Sequence, residues 1–293
     1  MEGRFPNRIL PYALLFPSIA IVVAFLIVPS LQALRLAFFE VSPFTGRGLF
    51  VGLSNFRVLM ESDIYRHSLE ITLLIAGGIV LAGMTASLAV AVLASQPLRG
   101  LGVYRVAILW PYALSPAVAG TIWALLFDPS TGPATLLIRA LTGLSPNWMM
   151  NGTYAVWVVV IAAAWKMLGF NVVFFLAGLQ AVPGELREAA QVDGAGAARV
   201  FWRITFPILS PITFFLFVMN SLYAFFELFG LIDVMTQGGP GGATDILIYR
   251  LYQDAFISAR WGMGSAQSIL LFVMVGILTA LQFRFAGRRV FYG

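Results

Sequence analysis

The sequence predicts an all-α membrane protein with six transmembrane helices, and three observations lead to this fold class. Of the 293 residues, 60% are hydrophobic and 11% are charged, which is more apolar surface than a soluble core of this length can bury. The apolar residues form long stretches, with most charged residues in the segments between them. No segment has the ten-residue alternation of a membrane β-barrel, so helices must satisfy the backbone hydrogen bonds in lipid.

Six apolar stretches are each long enough for roughly 20 residues of membrane-spanning helix. The first follows Arg4 and Arg8, continues past Pro29 and lacks a small-residue cleavage site after it, so we interpret it as a retained span. Prolines inside the stretches remove helix hydrogen bonds and predict local bends or breaks. These prolines are Pro17, Pro111, Pro116 and Pro211. The stretches lie near residues 11–37, 68–95, 104–127, 154–180, 207–230 and 265–286.

The distribution of charge predicts the orientation. Six spans place both termini on one side, together with the connections near 96–103 and 181–206. This side carries Arg4, Arg8, Arg99, Arg105, Arg187, Arg199, Arg203, Arg284, Arg288 and Arg289. The connections on the other side, near 38–67, 128–153 and 231–264, collect most of the acids, including Glu61, Asp63, Asp128, Asp233, Asp245 and Asp254. Because cytoplasmic segments next to spans are enriched in arginine and lysine, both termini are expected in the cytoplasm.

Composition also excludes several classes of function. The net charge of +5 is almost wholly arginine beside the spans, which is a topology signal and indicates no nucleic-acid partner. The chain has no cysteine and one histidine, His67, which we expect at a membrane interface. A disulfide framework, a thiolate metal site and a histidine metal cluster are therefore excluded. We expect no metal site and no catalytic residue.

The longest cytoplasmic connection, residues 183–207, predicts two short helices joined by a glycine turn. Pro183 and Glu185 suit a helix start, Gly194 suits its stop, and Asp193 can cap the second helix. Residues on one face of that second helix are Ala197, Val200, Phe201 and Ile204.

Two interpretations of this connection are open on composition alone. In the first, the small side chains of Ala189 and Ala190 allow a partner surface to approach, and Glu188 offers it a carboxylate. In the second, the segment is a membrane-surface helix that buries Phe201 and Trp202 at the interface.

The spacing of Glu188-Ala189-Ala190, Gly194, Ile204 and Pro207 resembles the EAA motif of the permease subunits of ABC importers; Phe206 stands where that family usually has leucine. The resemblance implies the type I permease fold, in which this segment is the coupling helix that docks in a groove of a separate ATP-hydrolysing subunit. The expected coupling residues are Glu188, Ala189, Ala190, Asp193, Gly194, Ile204 and Pro207.

The chain has no Walker A motif of its own, since Lys166 is followed by Met167 and Leu168. ATP and Mg²⁺ are therefore expected on partner ATPase subunits, with no cofactor on this chain, which we interpret as a permease and not an enzyme. The resemblance divides the chain into residues 1–66, with a cytoplasmic tail, the first span and a periplasmic loop; residues 67–286, the permease domain; and a cytoplasmic tail at residues 287–293.

Further stretches resemble permeases of the carbohydrate-uptake class, and most closely the first permease subunit of sn-glycerol-3-phosphate importers. They are residues 10–12, 51–56, 111–113, 116–118, 223–227, 232–233, 236–240, 243–244 and 266–268. Glu227 departs from the aspartate expected in that group. The implied substrate is sn-glycerol-3-phosphate or a glycerophosphodiester, and the alternative is a di- or oligosaccharide. The implied partners are a second homologous permease subunit in a heterodimer, two ATP-binding subunits, an extracytoplasmic substrate-binding protein and the lipid of a bacterial inner membrane.

The glycine-rich run from Gln237 to Gly242 has no preceding predicted strand, so it is not a nucleotide-binding loop. An ordinary external turn is the simplest interpretation. The resemblance favours a flexible periplasmic loop that contacts the binding protein, through Thr236, Gly238, Gly239, Pro240 and Thr244.

Two charged residues lie inside predicted spans, where a charge is costly and usually faces a cavity or a partner. Lys166 and Glu227 either line the substrate path, with Lys166 favouring an anionic phosphate, or form a structural ion pair. Weaker candidates, which equally suit helix-to-helix hydrogen bonding, are Asn171, Asn220, Tyr223 and Gln267.

Two other classes of membrane protein compete with this interpretation. An ion-coupled secondary transporter would need paired discontinuous helices and membrane-embedded acids, and Glu227 is the one such acid in the sequence. A membrane enzyme would need a catalytic constellation, and the sequence has no Ser-His-Asp order, metal-ligand set or HExxH motif.

Overall fold

The computed structural model describes residues 9–96 and 101–285, and leaves the side chains of Leu101, Gly102 and Arg105 undescribed. Arg4, Arg8, Arg99, Arg288 and Arg289, on which the predicted orientation partly depends, lie outside these ranges, as does the predicted tail at 287–293.

The described residues are mostly helical, with one antiparallel hairpin. The α-helices are α1 (Leu10–Val22), α2 (Val28–Leu36), α3 (Ser54–Glu61), α4 (Asp63–Ala94), α5 (Leu101–Ala113), α6 (Pro116–Leu126), α7 (Pro133–Thr142), α8 (Gly152–Ala181), α9 (Gly184–Val192), α10 (Ala197–Val200), α11 (Phe206–Ile208), α12 (Ser210–Leu222), α13 (Phe229–Met235), α14 (Leu247–Tyr252) and α15 (Trp261–Phe285). The strands are β1 (Phe39–Val41) and β2 (Gly48–Phe50), and π-helical turns occupy Val23–Ile27, Phe201–Thr205, Tyr223–Glu227 and Gln253–Ile257.

The predicted spans correspond to long apolar helices within a few residues at each end. Within the described ranges, five helical stretches are long and apolar enough to cross a membrane: Leu10–Leu36, Asp63–Ala94, Gly152–Ala181, Ser210–Glu227 and Trp261–Phe285. Val106–Ala113 and Pro116–Leu126 meet at a bend of 111°, and they make a sixth crossing if the bent pair is counted as one span.

The span predicted over 104–127 is broken, as its internal prolines Pro111 and Pro116 predict. The helix breaks between α5 and α6, where Pro116 begins the new helix and Ser115 caps it by accepting a hydrogen bond from Val118 N at 3.3 Å. Pro111 lies inside α5, shortly before the break. Proline supplies no backbone N–H, so two prolines five residues apart weaken the helix from both sides of the bend.

The chain forms two compact units. Among the described residues, the first comprises 9–62 together with 251–272, and the second comprises 63–96 and 101–250 together with 273–285. In the first unit the hairpin pairs Phe39 with Phe50. Asn55 Nδ2 donates to Ala37 O at 2.9 Å and to Phe39 O at 3.1 Å, so one buried amide fixes the turn between α2 and the hairpin.

Helix α8 is the central element of the second unit, and α4 and α5 pack along it. A Cβ added at Gly169 would lie 2.5 Å from Ile108 O, so glycine is what allows α5 to approach this closely. The apolar core beside this contact consists of Ala91, Val172, Phe175, Leu176 and Leu216.

The connection after α6 is ordered by an aspartate turn. Asp128 Oδ1 accepts hydrogen bonds from the hydroxyl and backbone N–H groups of Ser130 and Thr131. These bonds, the Ser130 hydroxyl first among them, stabilise the carboxylate and lower the pKa of Asp128 to about 2.

Candidate functional site

The segment 183–207 forms the predicted helix, glycine turn and second helix. Gly194 adopts a φ of +79°, and Ala195 N donates to Ala190 O at 2.9 Å across the turn. One detail of the prediction is wrong, because Asp193 does not cap the second helix. That helix begins at Ala197 with Gly196 at its N-cap, while Asp193 closes α9. The extra residues of the turn separate Asp193 from the N–H groups that it was expected to cap.

Helix α9 is exposed along its length. Glu188 and Ala189 are exposed and Ala190 is half-buried. Two apolar side chains, Leu186 at 47% and Val192 at 88% exposure, lie on the same short helix. Of the other predicted coupling residues, Pro207 is exposed and Ile204 is half-buried. A polar helix with uncovered alanines and apolar side chains suits contact with another protein surface.

Lys166 lies at the centre of α8, and its ammonium contacts two aromatic rings. Nζ is 5.5 Å from the ring centroid of Tyr112 and 5.5 Å from that of Tyr223. The side chain is 5% exposed. Among the described residues no carboxylate oxygen lies within 4.0 Å of Nζ, so the predicted direct ion pair with Glu227 is not formed in this structure. The two rings supply the contacts that partly offset the cost of burying the charge.

Glu227 ends the π-helical turn that also contains Tyr223, and it is exposed. It is close enough to interact electrostatically with Lys166. Tyr223 is buried, and its hydroxyl has no partner within the described part of the chain. Lys166, Tyr223 and Glu227 are therefore brought together, and the described part of the chain supplies no hydrogen-bond partner to the ammonium of Lys166 or the hydroxyl of Tyr223.

The remaining path candidates form protein-to-protein hydrogen bonds. Asn171 and Asn220 donate to each other, and both are fully buried. Gln267 belongs to the first unit, where its Nε2 donates to Asp254 Oδ2 at 2.6 Å. For Asn171, Asn220 and Gln267, these hydrogen bonds agree with the second of the two roles that the sequence allows, which is hydrogen bonding between parts of the protein.

The loop after α13 is more tightly bonded than the flexible loop that the sequence suggests. Thr244 is fully buried, and its Oγ1 lies 2.7 Å from Thr236 Oγ1 and donates to Gly239 O at 2.8 Å. Gly238 is also buried, with a φ of +78° and the ring of Tyr249 against it. Thr236, Gly239 and Pro240 are half-buried, so of the five predicted contact residues these three keep accessible surface.

The glycine-rich loop and α9 lie at opposite ends of α8. Ala243 contacts Gly152, the first residue of α8, so closely that a Cβ added at Gly152 would be 2.6 Å from Ala243 Cβ. Helix α9 follows the last residue of α8, Ala181. A helix of 30 residues is about 45 Å long, which exceeds the hydrocarbon thickness of a bilayer.

Sequence reasoning missed several polar contacts. Gln282 Nε2 donates to Ser221 Oγ at 2.9 Å between α15 and α12. Ser68 donates to Asp245 in the loop after α13, and Thr72 accepts from the backbone N–H of Leu247 at the start of α14. The spacing of four residues between Ser68 and Thr72 places them on one helix face, which was the available signal. Tyr112 lies in a stretch recognised by resemblance, but nothing in the sequence pairs it with Lys166.

Helices long and apolar enough to cross a membrane, one of them broken, together with a buried lysine and an exposed polar helix, agree with a membrane transport component. The chain belongs to the family of binding-protein-dependent transport system inner membrane components, whose model matches residues 9–292.

Relatives from several bacteria share nearly the full length of this chain. The sn-glycerol-3-phosphate transport system permease protein UgpA of Brucella abortus is 44% identical over 288 residues, 98% of each chain. The Rhizobium meliloti protein of the same name is 43% identical over 289 residues, 99% of this chain and 98% of the relative. That of Yersinia pseudotuberculosis is 41% identical over 283 residues, 97% of this chain and 96% of the relative.

Two solved structures share the fold. A bacterial ABC transporter involved in the import of the acidic polysaccharide alginate superposes with a TM-score of 0.81 over 95% of each chain. A bacterial alginate ABC transporter in complex with an alginate pentasaccharide-bound periplasmic protein gives 0.83 over 97% of this chain and 96% of that one. At 21% identity these matches establish the fold, which is the type I permease fold predicted from the sequence.

Proposed function

We propose that this chain is a permease subunit of an ATP-driven importer and forms half of the translocation path for sn-glycerol-3-phosphate or glycerophosphodiesters. The observation that carries the proposal is the 44% identity over 98% of both chains with a protein named as an sn-glycerol-3-phosphate permease. Three such relatives favour this substrate class over the di- or oligosaccharide alternative.

The energy for transport comes from separate ATP-binding subunits that carry ATP and Mg²⁺. Helix α9 is the contact with one of them. Three features support this role: the exposed carboxylate of Glu188, the small surface of Ala189, and the glycine turn at Gly194 that sets the direction of the following helix.

A second, homologous permease subunit completes the path as a heterodimer, and an extracytoplasmic binding protein delivers the substrate. The family is binding-protein-dependent by name, and one of the structural neighbours contains a periplasmic protein. The loop from Thr236 to Thr244 is the contact for that protein in this chain. Its position at the other end of α8 from α9 agrees with an external loop, a cytoplasmic coupling helix and cytoplasmic termini.

Lys166 contributes the positive charge that an anionic phosphate meets in the path. Among the described residues its ammonium contacts two rings and has no carboxylate within 4.0 Å, so the charge lacks a counter-ion that an anionic substrate would supply. Tyr223 adds a hydroxyl without a partner in the described chain. Glu227, at the exposed end of the same turn, moderates the positive potential.

The test is uptake by the whole transporter in proteoliposomes with ATP inside and the binding protein outside. We expect ATP-dependent accumulation of labelled sn-glycerol-3-phosphate or glycerophosphocholine, and little accumulation of maltose. Accumulation of maltose without the phosphate compounds would overturn the substrate assignment, and accumulation without ATP would overturn the importer class.

A further inference from the structure

A buried carboxylate attaches the glycine-rich loop to the start of α4. Asp245 is 4% exposed, and its Oδ2 accepts a hydrogen bond from Ser68 Oγ at 3.2 Å. The same oxygen accepts from Arg250 Nε at 3.0 Å and from a second guanidinium nitrogen of Arg250. The Arg250 side chain is 29% exposed, so the ion pair reaches solvent on the arginine side.

Two neighbouring contacts reinforce the attachment. Thr72, one turn after Ser68 on α4, accepts a hydrogen bond from Leu247 N at 2.8 Å and donates to Ser68 O at 2.6 Å. His67 Nε2 lies 3.3 Å from Gly242 O. Gly242 and Leu247, at the two ends of the segment 242–247, are therefore both held against residues 67–72 of α4.

The loop divides into a fixed base and an accessible tip. Thr244, Asp245 and Ile246 are buried in the base. In the tip, Gln237 and Gly241 are exposed. Gly238, Gly241 and Gly242 adopt positive φ values. Glycine populates both signs of φ, so the glycines alone do not restrict the tip to one conformation, and the bonds of the base supply that restriction.

We propose that Asp245 is a positioning residue for the binding protein: it holds the loop tip in the conformation that the substrate-loaded protein recognises and connects that contact to α4. The proposal rests on the proposed function, since it requires an external binding protein. Its physical basis is that a buried carboxylate is stable only while paired, so lifting the loop would separate Asp245 from both Arg250 and Ser68. The tip is thereby preorganised, and binding avoids the entropy cost of ordering it.

The experiment measures ATP hydrolysis by the full transporter in proteoliposomes as the concentration of substrate-loaded binding protein is raised. For Asp245→Asn we expect the half-saturating concentration to rise about tenfold, because a charged hydrogen bond is lost. The maximal rate should stay within about twofold, and hydrolysis without binding protein should not change. Ser68→Ala removes one bond and leaves the ion pair, so we expect a rise of about threefold.

Asp63→Asn is the matched control. It removes a carboxylate from the same end of α4, but this side chain is 93% exposed and pairs with Arg66 at the surface. We expect no change in the half-saturating concentration. The proposal is overturned if Asp245→Asn and Ser68→Ala leave that concentration unchanged, or if they lower only the amount of assembled complex. A wild-type complex whose hydrolysis does not respond to the binding protein would instead overturn the proposed function.

Discussion

The side-chain amides of Asn171 and Asn220 donate to each other across α8 and α12, with Nδ2 to Oδ1 distances of 3.1 and 2.7 Å. Neither residue has accessible surface, and Asn220 Nδ2 also donates to Leu216 O. In lipid no water competes for these groups, so the pair holds the two spans together and fixes their register.

Asn220→Ala should lower the stability of the permease by about 1–2 kcal/mol, since it leaves the amide of Asn171 buried without its partner. Thermal unfolding of the detergent-solubilised complex measures this loss of stability. The double variant with Asn171→Ala should cost less than the sum of the two single variants. Thr85→Val is the control, because Thr85 is exposed and bonds to carbonyl oxygens of its own helix. Additive single effects would show that the two amides act independently.

Gly262→Ala should disrupt the first compact unit. A Cβ at residue 262 would lie 1.9 Å from Phe39 O, a backbone atom in β1 that is also bonded to Asn55. Overpacking of this kind costs about 1–3 kcal/mol or more when the backbone has to move. Gly276→Ala on the same helix is the control, because nothing lies within 4 Å of the added Cβ. The yield and unfolding temperature of the two variants should differ; equal values would mean that the hairpin moves freely.

The sequence was sufficient to predict where the membrane spans lie, but not which side chains of different spans contact one another. Long apolar stretches define α4, α8 and α15 to within a few residues because lipid requires continuous helix there. Which polar groups meet depends on the rotation of each helix about its axis. Asn171 and Asn220 are 49 residues apart, and no local pattern pairs them. The hairpin at Phe39–Phe50 was missed because strands of three residues are too short to show alternation.

Glu188→Lys should abolish uptake and substrate-stimulated ATP hydrolysis while the permease remains in the membrane. The side chain is exposed on α9, so reversing its charge disturbs a partner surface and not a core. The measurement is uptake and hydrolysis per assembled complex. Glu61→Lys, an exposed charge reversal at the end of α3, should leave both nearly unchanged. Normal uptake by Glu188→Lys would remove α9 from the coupling contact.

Gly194→Val should also uncouple hydrolysis from uptake. Gly194 has a φ of +79°, where a β-branched residue is strained by about 1–2 kcal/mol or more, so the turn would open and redirect the second helix. Gly196→Val is the matched control, since Gly196 has a φ of −67° and open space around it. The spans should fold in both variants. Equal transport by the two variants would show that the angle of the turn is not required.

The role of Lys166 can be separated from that of Glu227 by substrate charge. If the ammonium meets a phosphate in the path, Lys166→Met should slow uptake of sn-glycerol-3-phosphate at least about tenfold more than uptake of any uncharged substrate, because it removes a charge interaction of more than about 1.4 kcal/mol. Methionine is unbranched like lysine, and its sulfur makes favourable contacts with aromatic rings such as those of Tyr112 and Tyr223. Assembly should therefore be preserved.

If instead Lys166 serves only to balance Glu227, the single variant leaves a carboxylate without its countercharge and should lower assembly for every substrate alike. Glu227→Gln combined with Lys166→Met would then restore assembly and transport together. The structure favours the first outcome, because Glu227 is exposed and the ammonium has no carboxylate within 4.0 Å among the described residues. Uptake per assembled complex at fixed ATP is the quantity to compare, and its non-additivity in the double variant gives the coupling between the two charges. Full recovery of sn-glycerol-3-phosphate uptake in the double variant would remove Lys166 from the substrate path.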